Sequence, residues 1–143
     1  MKLRWALLPL LLSCSCRQAI VVDTSAAKLI PRDVAIDRLK EALAKADVAV
    51  CAAPKVTLDK AEIKEWKVDD EGIEARAEGK ESIRVAFKDV TATRLDKYYL
   101  YFQVRIFTAA QPNPKKDHVH FHYATEEQAR RALELLDALR QKP

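Results

Sequence analysis

Apolar residues recur along this chain with two different periods, and the change between them marks its elements. Over residues 31–46, Ala35, Ile36, Leu39, Ala42, Leu43 and Ala46 repeat at the three-and-four spacing of an amphipathic helix. Pro31 suits the first turn, where its missing N–H and fixed φ cost nothing. Asp33 and Asp37 lie early and Lys40 and Lys45 late, the order that the helix dipole favours. A second helix is sharper. Thr125-Glu126-Glu127-Gln128 reads as a capping box, and Ala129, Ala132, Leu133, Leu136 and Leu139 form an apolar stripe reaching about Gln141. Such a helix is ~25 Å long, enough to cover the mouth of a small sheet or barrel.

Between these helices the period falls to two. Residues 55–68 carry both signals, because Asp59-Lys60-Ala61-Glu62 imitates a capping box while Val56, Leu58, Ile63, Trp66 and Val68 suit a strand with one bulge. A strand from Glu62 onward is expected. Asp69-Asp70-Glu71-Gly72 is a turn leading into the alternating residues 73–77. The paired aspartates do not suggest acid–base catalysis, since strand neighbours point to opposite faces and Asp before Gly serves turns for backbone reasons. Ile83, Val85 and Phe87 alternate with polar and small residues, and residues 89–95 continue as a short strand or a bent extension. Residues 98–107 give the longest strand signal, with Leu100, Phe102, Val104 and Ile106 on one face and Tyr99, Tyr101, Gln103, Arg105 and Phe107 on the other. A loop with Pro112, Asn113 and Pro114 precedes His118-Val119-His120-Phe121-His122-Tyr123.

Composition removes several kinds of chemistry. The 143 residues are 49% hydrophobic and 32% charged, the balance of one globular domain. Only two glycines occur, Gly72 and Gly79, so neither a P-loop nor a G-x-G-x-x-G turn can be written. Ser13, Ser15, Ser25 and Ser82 all lack the G-x-S-x-G context of a nucleophile elbow. The net charge of +4 includes Lys2 and Arg4, ahead of the apolar run from Trp5 to Leu12. That order is a secretory signal over residues 1–13, whose apolar run falls short of the ~20 residues needed to span a bilayer. Without it, 23 basic residues face 21 acidic ones, with no basic run longer than Lys115-Lys116. No nucleic-acid partner is expected.

Leu11-Leu12-Ser13-Cys14 resembles the lipobox of bacterial lipoproteins; Cys16 offers a second frame, with Ser13 in the apolar place. The resemblance implies lipidation of Cys14, as a thioether to diacylglycerol, with acylation of the new amino terminus. More than one chain gives stable anchoring, where one gives only reversible contact. Ser15 is not the aspartate associated with inner-membrane retention, so the pattern points to an outer-membrane anchor with the domain facing the periplasm. Residues 14–30 then serve as a tether, and their last fourteen residues reach ~20 Å if loose. A bridge between Cys16 and Cys51 stays open; the alternative for Cys51, within Val48-Ala49-Val50-Cys51-Ala52-Ala53, is a small buried hydrophobe.

The strands and closing helix, WKVDDEGIEARA, IRVAFKDVTATRL, YYLYFQVRIF and HVHFHYATEEQARRALELLDAL, resemble the pleckstrin-homology-like superfold, including its GRAM-type bacterial versions. Phe87-Lys88-Asp89-Val90 matches its apolar-F-x-D-apolar step. The resemblance implies an α+β fold: an antiparallel sheet or split barrel of five to seven strands, capped by the C-terminal amphipathic helix, with an extra N-terminal helix. The expected division is signal 1–13, lipidated tether 14–30, helix and connection 31–54, and β domain 55–143. The superfold hosts unrelated functions, so it implies binding or scaffolding by analogy only. Phosphoinositide recognition is not implied, because the first hairpin turn is acidic.

His118, His120 and His122 alternate, placing three imidazoles on one strand face. Neighbours lie ~6.6 Å apart along the strand and the outer two ~13 Å apart, so a pair can share a metal but a third ligand must come from elsewhere. Symmetric closure of the loop over residues 108–117 sets Arg105 opposite His120, and a fixed cation there discourages a divalent metal. Simple alternation explains the pattern as Val119, Phe121 and Tyr123 inward with the histidines outward. No catalytic residue, metal or cofactor is therefore assigned. The expected function is a membrane-anchored, non-enzymatic binding or scaffolding module, holding another envelope protein or an apolar ligand through Tyr99 and Tyr101 or a sheet edge. The alternative is a metal-dependent hydrolase using His118, His120 and His122.

Overall fold

The computed structural model describes residues 17–109 and 119–141; Cys14, Cys16 and His118 lie outside them. The chain is α+β, with β1 (Gln18–Ile20), α1 (Arg32–Ala44), β2 (Val48–Ala52), β3 (Thr57–Asp59), β4 (Ile63–Val68), β5 (Gly72–Ala77), β6 (Ile83–Ala86), β7 (Val90–Lys97), β8 (Phe102–Thr108), β9 (Val119–Tyr123) and α2 (Glu126–Gln141). Single turns of 3-10 helix stand at Ser25–Leu29 and Phe87–Asp89. The strands form two antiparallel sheets that do not close into a barrel: six strands in the order β1-β7-β8-β9-β2-β3, and three in the order β4-β5-β6.

Nine strands among the described residues replace the expected five to seven. The three outside the expected set are β1, β2 and β3, each of five residues or fewer; Leu58 of β3 lay in the stretch that carried both helix and strand signals, before the strand expected from Glu62. Part of the stretch read as a tether is built into the fold, since Gln18–Ile20 pairs with β7 and the turn behind it buries Ala27. The connection read after the first helix contains β2, which lies between β9 and β3 inside the large sheet. The long strand expected from Tyr98 is also shorter. Its first residues make a turn in which the Tyr98 N–H donates to the Tyr101 carbonyl at 2.8 Å, and β8 starts only at Phe102.

One face of the large sheet forms the core. Leu95, Val104, Ile106, Val119, Phe121 and Tyr123 are buried there with Ala49, Cys51 and Leu58. Alternation of inward and outward residues along β9 is as expected. Helix α2 covers this face with its predicted stripe of Ala129, Ala132, Leu133, Leu136 and Leu139, and Thr125 Oγ1 caps it by accepting the Gln128 N–H at 3.3 Å. Helix α1 contributes Ala35, Leu39 and Leu43, packing against α2 and β4. Trp66 of β4 meets Phe121 edge-on with ring centroids 5.6 Å apart, so the small sheet closes onto the same core. The buried Tyr123 hydroxyl donates to the Ala42 carbonyl at 2.9 Å, removing an otherwise unmet polar group and tying β9 to α1.

The β4–β5 turn shows why its aspartate is there. Asp69 Oδ1 accepts the Glu71 and Gly72 N–H groups at 2.9 and 3.0 Å, and also takes Arg84 at 3.0 Å. The Arg84 hydrogen bond holds the Asp69 carboxyl below the usual carboxylate range. Gly72 is required by a close approach: a Cβ on it would fall 2.2 Å from the Val85 carbonyl oxygen.

Candidate functional site

The candidate site is the other face of the large sheet, away from both helices. Register places Arg94 opposite Arg105, Asp96 opposite Gln103, Arg105 opposite His120, and Gln103 opposite His122. Opposed side chains share a face, so these residues lie together, with Val50 beside His120 and Val48 beside His122. The Arg105–His120 pairing is the one that symmetric loop closure predicted.

Two clusters occupy this face. One is a column of parallel rings: Tyr98 on Tyr101 at 4.8 Å, Tyr101 on His122 at 4.1 Å, and His122 on His120 at 5.0 Å, all within 18° of parallel. The other centres on Asp96, which is fully buried. It accepts from Arg94 Nε at 2.7 Å and pairs with Arg17 Nε at 3.1 Å. The guanidinium carbons of Arg94 and Arg105 lie 5.2 and 5.0 Å from the Phe107 ring centroid, at cation–π distance. Two arginines thus share one carboxylate and a third, Arg105, lies on the same face, giving it a positive balance.

The environment sets the charge states. Burial pushes the His122 pKa below the ordinary histidine value, favouring the neutral imidazole. Burial also lowers Arg105, with the like charges of Arg94 and Arg17 adding to it. The Tyr101 hydroxyl is raised by burial and by Tyr98. The stacked rings use their faces on one another, and on the same face the Arg94 and Arg105 guanidinium groups lie over Phe107. With Arg17, Arg94 and Arg105 against the single carboxylate of Asp96, this face carries a cationic balance suited to acidic partners.

Metal binding fits less well. His120 and His122 stack with ring centroids 5.0 Å apart, and His118 lies outside the described residues. Among the described residues no three His, Cys, Asp or Glu side chains cluster as a metal site. Cys51 is free and buried, its thiol pushed up to about 12 by burial, as for a small hydrophobe.

Tyr99 and Tyr101, expected on one strand face, are separated. Tyr101 joins the ring column, while Tyr99 stands 86% exposed at the tip of the β7–β8 turn. Sequence reasoning missed Arg17, Arg94 and Asp96. The Arg94-Leu95-Asp96 spacing was a usable signal, since opposite charges two apart on a strand share a face. No family model matches the chain, and no curated protein or solved structure matches it. No described helix is long and apolar enough to cross a membrane.

Proposed function

We propose that the protein is a lipid-anchored lipoprotein of the bacterial outer membrane, its folded domain a non-enzymatic module that binds another envelope protein in the periplasm. The anchor rests on Leu11-Leu12-Ser13-Cys14, with Cys14 as the lipidated residue. The binding role is carried by the outer sheet face, where the ring column from Tyr98 to His120 adjoins Arg17, Arg94 and Arg105. Two antiparallel sheets and a C-terminal helix support the pleckstrin-homology-like reading, which argues for binding or scaffolding by analogy only. An acidic surface on the partner complements this face.

Fatty-acid labelling tests the anchor. Cys14→Ala should lose the label and move to the soluble fraction; a label kept by that variant moves the site to Cys16, and an unlabelled wild type ends the lipoprotein reading. Purification of the lipidated chain from membranes tests the module. A stoichiometric protein partner that is lost with Tyr101→Glu supports it, while a partner indifferent to that change moves binding elsewhere. About one zinc per chain, lost in His120→Ala, would replace the module with the hydrolase alternative built on His118, His120 and His122.

A further inference from the structure

The first described residue, Arg17, stands close in sequence to Cys14, the position read as lipidated. Arg17 is paired with buried Asp96, and Gln18 is registered against Lys97. Only two residues, Ser15 and Cys16, separate Cys14 from Arg17, a span of at most ~11 Å over three Cα–Cα steps. A lipid on Cys14 therefore holds this corner of the sheet close to the bilayer, nearer than the full tether expected over residues 14–30.

The β7–β8 turn stands at the same corner, because Lys97 pairs with Gln18 on one side and with Phe102 on the other. Its residues are Tyr98, Tyr99, Leu100 and Tyr101. None is a Gly, Pro, Asn, Asp or Ser, the residues that turns select for backbone reasons. Tyr99 is 86% exposed and Leu100 80%, two adjacent large apolar side chains presented to solvent. Exposed Arg17 and Lys97 flank them. Burial of Asp96 between Arg17 and Arg94 leaves no exposed carboxylate among residues 94–101.

We propose that this tip docks on the bilayer that holds the lipid, with Tyr99 and Leu100 entering the interface and Arg17 and Lys97 meeting anionic headgroups. The proposal rests on the lipid-anchored reading. Tyrosine suits that depth because its ring is apolar and its hydroxyl seeks water. Basic side chains are drawn to anionic headgroups within a Debye length. A weak site is enough, since the anchor makes docking an intramolecular event at high effective concentration. Docking stands β7 and β8 end-on to the membrane. The His120 end of the ring column then points away from the lipid, open to a periplasmic partner.

The test uses the full lipidated chain reconstituted in phosphatidylethanolamine–phosphatidylglycerol vesicles with brominated acyl chains. Tyr99→Trp reports at the tip, and Thr57→Trp reports from β3, whose pairing with Ala52 places it toward the opposite end of the sheet. Trp66 is common to both variants. Tyr99→Trp should lose roughly half of its added emission to the brominated lipid and Thr57→Trp little. Adding Leu100→Asp should restore the tip emission with the fatty-acid label and circular dichroism unchanged. A labelled, folded Tyr99→Trp protein quenched no more than Thr57→Trp overturns the docking and leaves the anchor standing. Quenching that survives Leu100→Asp, or crosslinks from residue 99 to a second copy, also overturns it. An unlabelled protein overturns the anchor and the docking together.

Discussion

Phe121 and His122 are neighbours in one strand, yet they belong to two different kinds of surface. Phe121 faces inward, fully buried against Trp66 and the helices. His122 faces outward, stacked between Tyr101 and His120. The inner face is held by volume and apolar area. The outer face is held by geometry, through parallel rings, guanidinium groups over Phe107, and one buried carboxylate shared by two arginines. Substitutions on the inner face should therefore act on stability in proportion to the volume removed. Those on the outer face should act through charge and pH.

The largest effect is expected from Phe121→Ala, which empties the point where the two sheets and helices meet and should cost ~3–5 kcal/mol in denaturant unfolding. A cost within the ~0.5 kcal/mol typical of surface sites would mean that the inner face is not the core. Asp96→Ala comes next. It leaves Arg17 and Arg94 crowded beside Arg105 without their carboxylate, but these side chains are partly exposed and can turn to water. The expected cost is ~1–3 kcal/mol, and it should shrink when Arg94→Ala is combined with it. Additive costs would show that the pairing is incidental.

The smallest effect is a pH slope. Burial depresses the folded pKa of His122 from 6.5, so below that value the unfolded chain takes up the proton first. His122 should thus contribute full stability above about pH 6.5, lost as the pH falls from there toward the depressed folded value. His122→Gln should flatten the slope in that window. It should spare the loss at lower pH, where Asp69 gives up its Arg84 hydrogen bond as its carboxyl is protonated. An unchanged slope would place His122 in water and dissolve the stack.

What was legible in the sequence divides along the same line. Both helices and the inward Val119, Phe121 and Tyr123 are periodic signals, and periodicity is what burial on one side leaves behind. The Arg105–His120 register followed from loop closure because a hairpin fixes its own pairing. By contrast, β2 lies inside the large sheet and reads as a short apolar run, which alternation cannot mark. The Tyr98–Tyr101 turn carries none of the usual turn residues, so its pattern extends β8 on paper. The outer site was hidden for another reason. Its column joins a turn to β9, and its charge cluster joins β1 to β7, contacts between segments that sequence periodicity never compares.

The place of β2 between β9 and β3 also sets an order of assembly. Its two partners differ greatly in distance along the chain: β3 follows within a few residues, whereas β9 arrives ~70 residues later, a separation that makes loop closure slow. Until β9 emerges, the β2–β3 hairpin and β8 each keep a bare strand edge, the kind of edge that invites pairing with other chains. β9 is thus the strand that joins the two halves of the large sheet, β1-β7-β8 and β2-β3. A chain cut short before Val119 would carry two half-sheets and no means of joining them.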